Sequence, residues 1–408
     1  MTVQAGRSWA ALAGISAAIR QNLKLFGQND RYWGVPYLER SDMLRLGFAT
    51  ALAKAGATAA LAQTPQGQAP PATQLPHRYP YAIGSPDLAW PAVHTSSGLS
   101  SWFGDNARAA LDVATRVMID EQTGKPGAVQ MLGLDLHKVV SGDSADIGTL
   151  TVQGYLLRFD NVAMRPDFIE DDDDWDFEWR IVTWNHKLSS DGALNAKLGH
   201  IELPFGLEHT FDSNGTLRNF LLMPHIGVMA DWGVGINGTL EQLDYELTLT
   251  RGTGNEWHDS GDPFLACGRF ATPCEGNFVA GLSACHGDTG LPGRIVRRTR
   301  AALDVQWNVG RFALLGEVGG GRVGGVDVAS ALFELDIHDD SETFLGFLRC
   351  VVESNLSGGS DSSIQAVAGL QWRPDSHWDL SAQVTQDLDT LGSADTNTVL
   401  AAQVRFRF

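Results

Sequence analysis

The chain has 408 residues and a formal net charge of −18, with 43% hydrophobic residues, 19% charged residues and 45 glycines. That length suits one large domain or two ordinary ones, and the excess of acid excludes nucleic acid as a partner. Outside one N-terminal segment, no run of about 18 apolar residues is present to cross a membrane as a helix; a β-barrel escapes that test, because only alternate residues of its strands face lipid.

Residues 1–42 carry short helical runs such as Trp9 to Ile19 and no motif. From Met43 the chain reads MLRLGFATALAKAGATAALAQTPQ. Arg45 supplies a basic n-region, Leu46 to Leu61 an apolar h-region, and Ala60-Leu61-Ala62 an A-x-A cleavage site before Gln63. Residues 43–62 are therefore expected to be a signal peptide, with Met43 the start and 1–42 a non-native upstream extension, or else disordered or an unusually long n-region. Lys54 interrupts the h-region, so an Ala-rich amphipathic helix is the competing reading. Residues 63–107 open on a Pro- and Gln-rich stretch and read as a periplasmic linker.

From residue 108 to the end, apolar and polar residues alternate in run after run. Leu111, Val113, Thr115, Val117 and Ile119 share one strand face, with Asp112, Arg116 and Asp120 on the other. Ile226 to Ile236, Leu243 to Leu249, Ala301 to Val309 and Ala329 to Ile337 repeat the pattern. The last run, Val399 to Phe408, sets Leu400, Ala402, Val404, Phe406 and Phe408 against Gln403, Arg405 and Arg407. Such a strand needs two solvents: water and a second sheet in a secreted sandwich, or lipid and a wet lumen in a barrel. About fourteen strands of roughly ten residues are legible, the length a tilted membrane strand needs. The expectation is an all-β, transmembrane antiparallel β-barrel of about fourteen strands, within a range of about 12–16.

The connections sort by length. Short turns are expected at Ser141–Ser144, Ser189–Gly192, Gly238–Gln242, Val309–Arg311, His338–Ser341 and Pro374–His377. Outer loops, most of them long, are expected at Asp160–Asp176, Gly206–His225, Gly252–Arg294, Ser354–Ser363 and Asp389–Asn397. A sandwich, wet at both ends, has no reason to sort its loops this way. The aromatic terminus resembles that of bacterial outer-membrane proteins, and the resemblance implies that Phe408 belongs to the signal read by the barrel-assembly machinery. Outer-membrane lipids, lipopolysaccharide and further copies of the chain are the other expected partners.

Chemistry is sparse. No nucleophile elbow, H-E-x-x-H pair or phosphate loop is present, and His209 with Asp212, or His258 with Asp259, are pairs that polar loops produce by chance; no enzyme activity, cofactor or metal is expected. Glu170 to Asp174 form an acidic run whose plain reading is a solvated loop tip; a divalent cation bridging it to lipopolysaccharide phosphates is the sharper one. Cys267, Cys274 and Cys285 crowd one stretch and Cys350 lies downstream. An even count in an exported chain suggests two disulfides, with three connectivities open; the spacing fits no common zinc pattern. Candidate pore-lining residues are Arg116, Asp135, Arg180, Asp244, Glu246, Arg300, Asp304, Glu317, Glu334, Arg349 and Arg405. Walls of both signs suit a general channel, or the charges pair and merely stiffen the wall.

The stretch Leu198-Gly199-His200-Ile201-Glu202-Leu203-Pro204-Phe205-Gly206-Leu207-Glu208 resembles the strand-and-loop motif of porins of the phosphate-selective O/P type. The resemblance covers about a dozen residues and implies a porin-like barrel whose strand bends at Pro204 into an outer loop. Pro204 removes a ladder donor and Gly206 permits a sharp bend, so the strand must stop there. Pro204, Phe205, Gly206, Glu208, His209 and Asp212 are the constriction-loop candidates. No ladder of Arg and Lys accompanies the motif, so phosphate selectivity is not carried over. The expected function is passive diffusion of small hydrophilic solutes or ions across the bacterial outer membrane; a barrel sheathing a partner such as a periplasmic cytochrome is the second reading.

The mature chain is expected to begin at Gln63. Amino-terminal sequencing of outer-membrane material checks this, and a mature chain beginning at Thr2 would refute it.

Overall fold

The computed structural model describes residues 103, 106–122, 124–143, 145–160, 175–208, 216–218, 225–256, 263–274, 276–290, 295–339, 341, 343–357, 361–389 and 396–408. The expectations for 1–42 and 43–62, nearly all of the linker, the acidic run, His209, Asp212, His258 and Asp259 lie outside these residues.

The strands are β1 (Ala107–Asp120), β2 (Pro126–Ser141), β3 (Asp146–Asp160), β4 (Asp176–Lys187), β5 (Asn195–Glu202), β6 (Ala230–Leu240), β7 (Leu243–Thr250) and β8 (Leu265–Ala271). They continue as β9 (Phe278–Thr289), β10 (Val296–Val309), β11 (Phe312–Val323), β12 (Val326–His338), β13 (Phe344–Asn355), β14 (Asp361–Trp372), β15 (Trp378–Asp389) and β16 (Thr398–Arg407). Each pairs antiparallel with its sequence neighbours, and β1 pairs with β16 to close the barrel. At the seam, the N–H of Leu111 donates to the carbonyl of Phe408 and the N–H of Phe408 to the carbonyl of Leu111, both at 2.9 Å. The C-terminal aromatic residue is thus part of the closing rung.

Alternation sorts the side chains as the sequence requires. On β10, Ala301, Leu303, Val305, Trp307 and Val309 are exposed on the outside, while Arg300, Ala302, Asp304 and Gln306 are buried inside. On β1, Leu111, Val113, Val117 and Ile119 face out and Asp112 faces in. Five outward apolar positions on a tilted strand make a band of roughly 25 Å, the thickness of the hydrocarbon layer such barrels cross. Phe344 stacks on Trp372 with ring centroids 5.8 Å apart, and Trp378 leans on Phe406 at 4.8 Å, an aromatic row at the short-turn end. The turn at Ser189–Gly192 shows its chemistry: Asp191 accepts the N–H of Ala193 at 3.0 Å. The Ser189 hydroxyl and that N–H hold the Asp191 carboxyl below its ordinary range.

The barrel has sixteen strands, not about fourteen. The two missed strands, β8 and β9, lie in the stretch Gly252–Arg294 read as one outer loop. Gly268, Gly281 and Gly287 and the alanines at 266, 271, 280 and 284 flatten the polarity contrast that marks a strand. The strand expected from Ile226 begins at Ala230 instead; residues 225–229 belong to the preceding loop.

The cysteine expectation is corrected with it. Cys267 and Cys285 face each other across β8 and β9, both inward, and form one disulfide of sequence separation 18. Cys274 sits in the β8–β9 connection, at the short-turn end, and is a thiol. Cys350 is also a thiol, exposed on the outer face of β13. The four do not share one side of the barrel: two point into it, one lies at its short-turn end, and one points toward lipid. Alkylation of the unfolded, unreduced chain is expected to modify two thiols, and reduction should release two more. Four thiols without reductant, or none, would contradict this pairing.

Candidate functional site

Between β5 and β6, the described residues 203–208, 216–218 and 225–229 lie against the inner wall of the barrel. The last rung of the ladder is the N–H of Leu203 on the carbonyl of Met229, 3.0 Å. Pro204 has no N–H to offer the next rung, and the strand ends. Phe205 turns back onto Leu203 by an N–H···O bond of 2.9 Å. Gly206 then adopts φ +66°, the left-handed region, and its missing Cβ matters twice: a Cβ there would run into the Glu317 carboxylate.

Past this bend the backbone is fastened to the inner wall. The N–H of Gly206 donates to Ser283 Oγ of β9 at 3.0 Å, and that of Leu207 to Glu317 Oε2 of β11 at 2.8 Å. Glu208 accepts from Arg349 Nη2 of β13 at 2.8 Å. On the return, Arg116 of β1 donates to the carbonyl of Thr216 at 2.8 Å while its Nε holds Gln403 of β16 at 3.0 Å. Arg218 meets Glu334 at 2.8 Å and Asp336 at 3.1 Å on β12, with its guanidinium 4.1 Å from the centroid of Phe347. His225 Nε2 lies 3.0 Å from Glu353, and Thr289 Oγ1 donates to the carbonyl of Ile226 at 2.9 Å.

Glu334 is the hub. One oxygen faces Arg218 and the other faces Arg349 at 2.9 Å. The sequence Glu208, Arg349, Glu334, Arg218, Asp336 is one buried chain of alternating charge. It ties the two ends of the stretch 208–218 together through the wall. Each guanidinium fork faces two carboxylates, and such bonds are short and strong when both partners are ionised. Breaking one partner away leaves the other charge buried and uncompensated.

Ten of the eleven pore-lining candidates are on the inner side of the strands that carry them; Arg180 sits at the β3–β4 register shift, between Trp179 and Ile181. Asp135, Asp244, Glu246, Arg300, Asp304, Glu317, Glu334, Arg349 and Arg405 are buried there, and Arg116 and Arg180 are partly buried. Most take partners. Arg405 bonds Asp112, Arg407 bonds Asp135 at 2.7 Å, Arg269 bonds Asp304, Lys197 bonds Glu246 at 2.5 Å and Arg180 bonds Glu202 at 2.5 Å. Some of these charges pair within the wall, and Arg116, Glu317, Glu334 and Arg349 hold described residues of the segment between β5 and β6.

Pro204, Phe205, Gly206 and Glu208 lie together at the end of β5, all buried. Sequence reasoning missed Thr216, Arg218, His225, Ser283 and Gln403. Arg218 left a signal, being the one Lys or Arg between Lys197 and Arg251. A lone cation in an apolar stretch needs a carboxylate, and the wall supplies two.

No protein-family model and no curated protein matches the chain. Solved structures do. OprB of Pseudomonas putida matches with a TM-score of 0.57 at 10% identity, over 74% of this chain and 94% of that one. An anion-selective porin from Comamonas acidovorans matches at 0.52 and 12%, over 74% and 99%. OmpT of Vibrio cholerae, an outer-membrane protein also solved in a trimer form, matches at 0.52 and 11%, over 74% and 99%. At these identities the likeness is one of fold, and the chain has the closed, porin-like β-barrel fold of bacterial outer-membrane proteins.

Proposed function

We propose that the chain is a passive channel of the bacterial outer membrane for small hydrophilic solutes or ions, narrowed by residues 203–208, 216–218 and 225–229 held against its inner wall. The observation that carries this is the clamp of Glu208, Arg349, Glu334, Arg218 and Asp336, which holds an outer loop inside the barrel. A barrel serving only as a wall has no use for a loop fastened across its interior. Inner surfaces of both signs impose no one-sided field, so ion preference is modest. Assembly uses the barrel-assembly machinery with Phe408 as its signal, and the outer face meets lipid and lipopolysaccharide.

Purified protein in a planar bilayer is expected to give stepwise, ohmic conductance. Arg218→Ala should make the open level fluctuate, because Glu334 and Asp336 lose a shared cation. Deleting Ser213 to Thr216 should raise conductance while the barrel stays assembled. A wild type that is electrically silent, with a deletion that changes nothing, would refute the channel.

The outer face also supports self-association. Outward Thr115 pairs with Gln130, and Gln130 with Arg158, across three adjacent strands. Thr115 has Leu111 and Val113 on one side of it along β1 and Val117 and Ile119 on the other, so the row interrupts the apolar band near its middle. An exposed amide in hydrocarbon costs several kcal/mol without a partner. An amide both donates and accepts, and so suits a copy of itself. Thr115→Val with Gln130→Leu is expected to shift the protein toward monomer by about tenfold or more in dissociation constant. Native mass spectrometry from detergent reads this, and an unchanged distribution would refute it.

A further inference from the structure

The wall does not need the Cys267–Cys285 disulfide to hold its register. Between β8 and β9 the ladder runs unbroken from Leu265↔Gly287 to Ala271↔Gly281, and β7 and β10 pair with their other edges. A cross-link between residues already opposed in a complete ladder adds little to the geometry of that ladder.

What touches the bridge is more informative. Both cysteines point inward and are 5% and 3% exposed. They form one buried apolar cluster with Leu265 and Ala302 of the wall, Leu203 and Phe205 of the loop's first stem, and Ile226 and Val228 of its second. Two polar pins flank the same patch: Ser283, two residues before Cys285, takes the N–H of Gly206, and Thr289 donates to the carbonyl of Ile226. Other inward apolar clusters, such as Ala114, Met131, Tyr155, Leu157 and Phe159, belong to the wall alone; this one joins the wall to both stems, with the disulfide in it.

We propose that the Cys267–Cys285 disulfide is a latch for the two stems, residues 203–208 and 225–229: closed, it completes their seat, and reduced, it lets them leave the wall while the barrel stays intact. The sulfurs are covered by the stems, so a reductant reaches them only when the loop lifts. Reduction by dithiothreitol breaks the S–S bond and transfers two electrons and two protons. Cys267 and Cys285 become thiols, and the reagent closes to its cyclic disulfide. Two separate thiols, more polar and no longer joined, then fill the seat less well.

The test uses the whole folded chain, with Cys274 and Cys350 first blocked by N-ethylmaleimide. Arg218 is the single tryptic site between residues 203 and 229, and it is buried when the loop is seated. Cleavage at Arg218 is expected to accelerate by about tenfold or more after reduction, with heat-modifiable migration on gels unchanged. Cys267→Ala with Cys285→Ala should be cut at the fast rate and ignore dithiothreitol. An Arg218 cleavage rate unchanged after mass spectrometry has shown the bridge open would overturn the latch. Loss of the folded gel form on reduction would overturn it too, because the bridge would then be holding the wall. In a planar bilayer the reduced channel should fluctuate between levels. This arm rests on the channel reading: a silent wild type sinks that reading, while the cleavage arm still decides the latch.

Discussion

Everything in this molecule depends on the rule that a backbone polar group in hydrocarbon must find its partner within the protein. Sixteen strands satisfy it side by side, and only closure satisfies it for the first and last. The seam between Leu111 and Phe408 removes the two edges an open sheet would leave. Once the wall is closed it has an inside. Residues that alternate with lipid-facing leucines and valines are then free to be Asp, Glu and Arg.

The inside is where the chain departs from a simple cylinder. Pro204 ends a strand early, Gly206 turns it, and Leu207 and Glu208 are fastened to the inner wall. Two kinds of interaction hold the stems there, and they sit at different places. Around β8, β9 and β10 the stems are seated on apolar side chains. Around β12 and β13 they are gripped by ion pairs centred on Glu334. The apolar seat has little direction, whereas the guanidinium forks fix orientation. Together they hold the stems against one part of the wall, and Arg116 reaches them from another, β1, with β16 behind it through Gln403.

The barrel was legible because lipid on one side and water on the other write a period of two into every strand that alternates strongly. Leu111 to Ile119 and Leu400 to Phe408 announce themselves. The signal fails where the outward residues are small, and β8 and β9 were lost among Gly268, Ala280 and Ala284 for that reason. The end of β5 was legible because Pro and Gly act locally. Its partners were not, since Ser283, Glu317 and Glu334 come to it from distant strands and alternation says only that they face inward. The cysteines failed in the same way: their number suggests bridges, but only the register of β8 on β9 decides which pair can meet.

The order of the strands also governs how fast this shape can be reached. Fifteen of the sixteen strand pairings join sequence neighbours, and one, β1 with β16, joins the two ends of the barrel. Neighbouring pairs form by closing short loops, which costs little entropy. The seam closes a loop of nearly the whole domain and cannot form until the last strand has been made. Until then the growing sheet keeps two open edges and a wide apolar face. The ring closure is therefore the contact of greatest sequence separation in the wall, and until it forms two strand edges stay open to other chains.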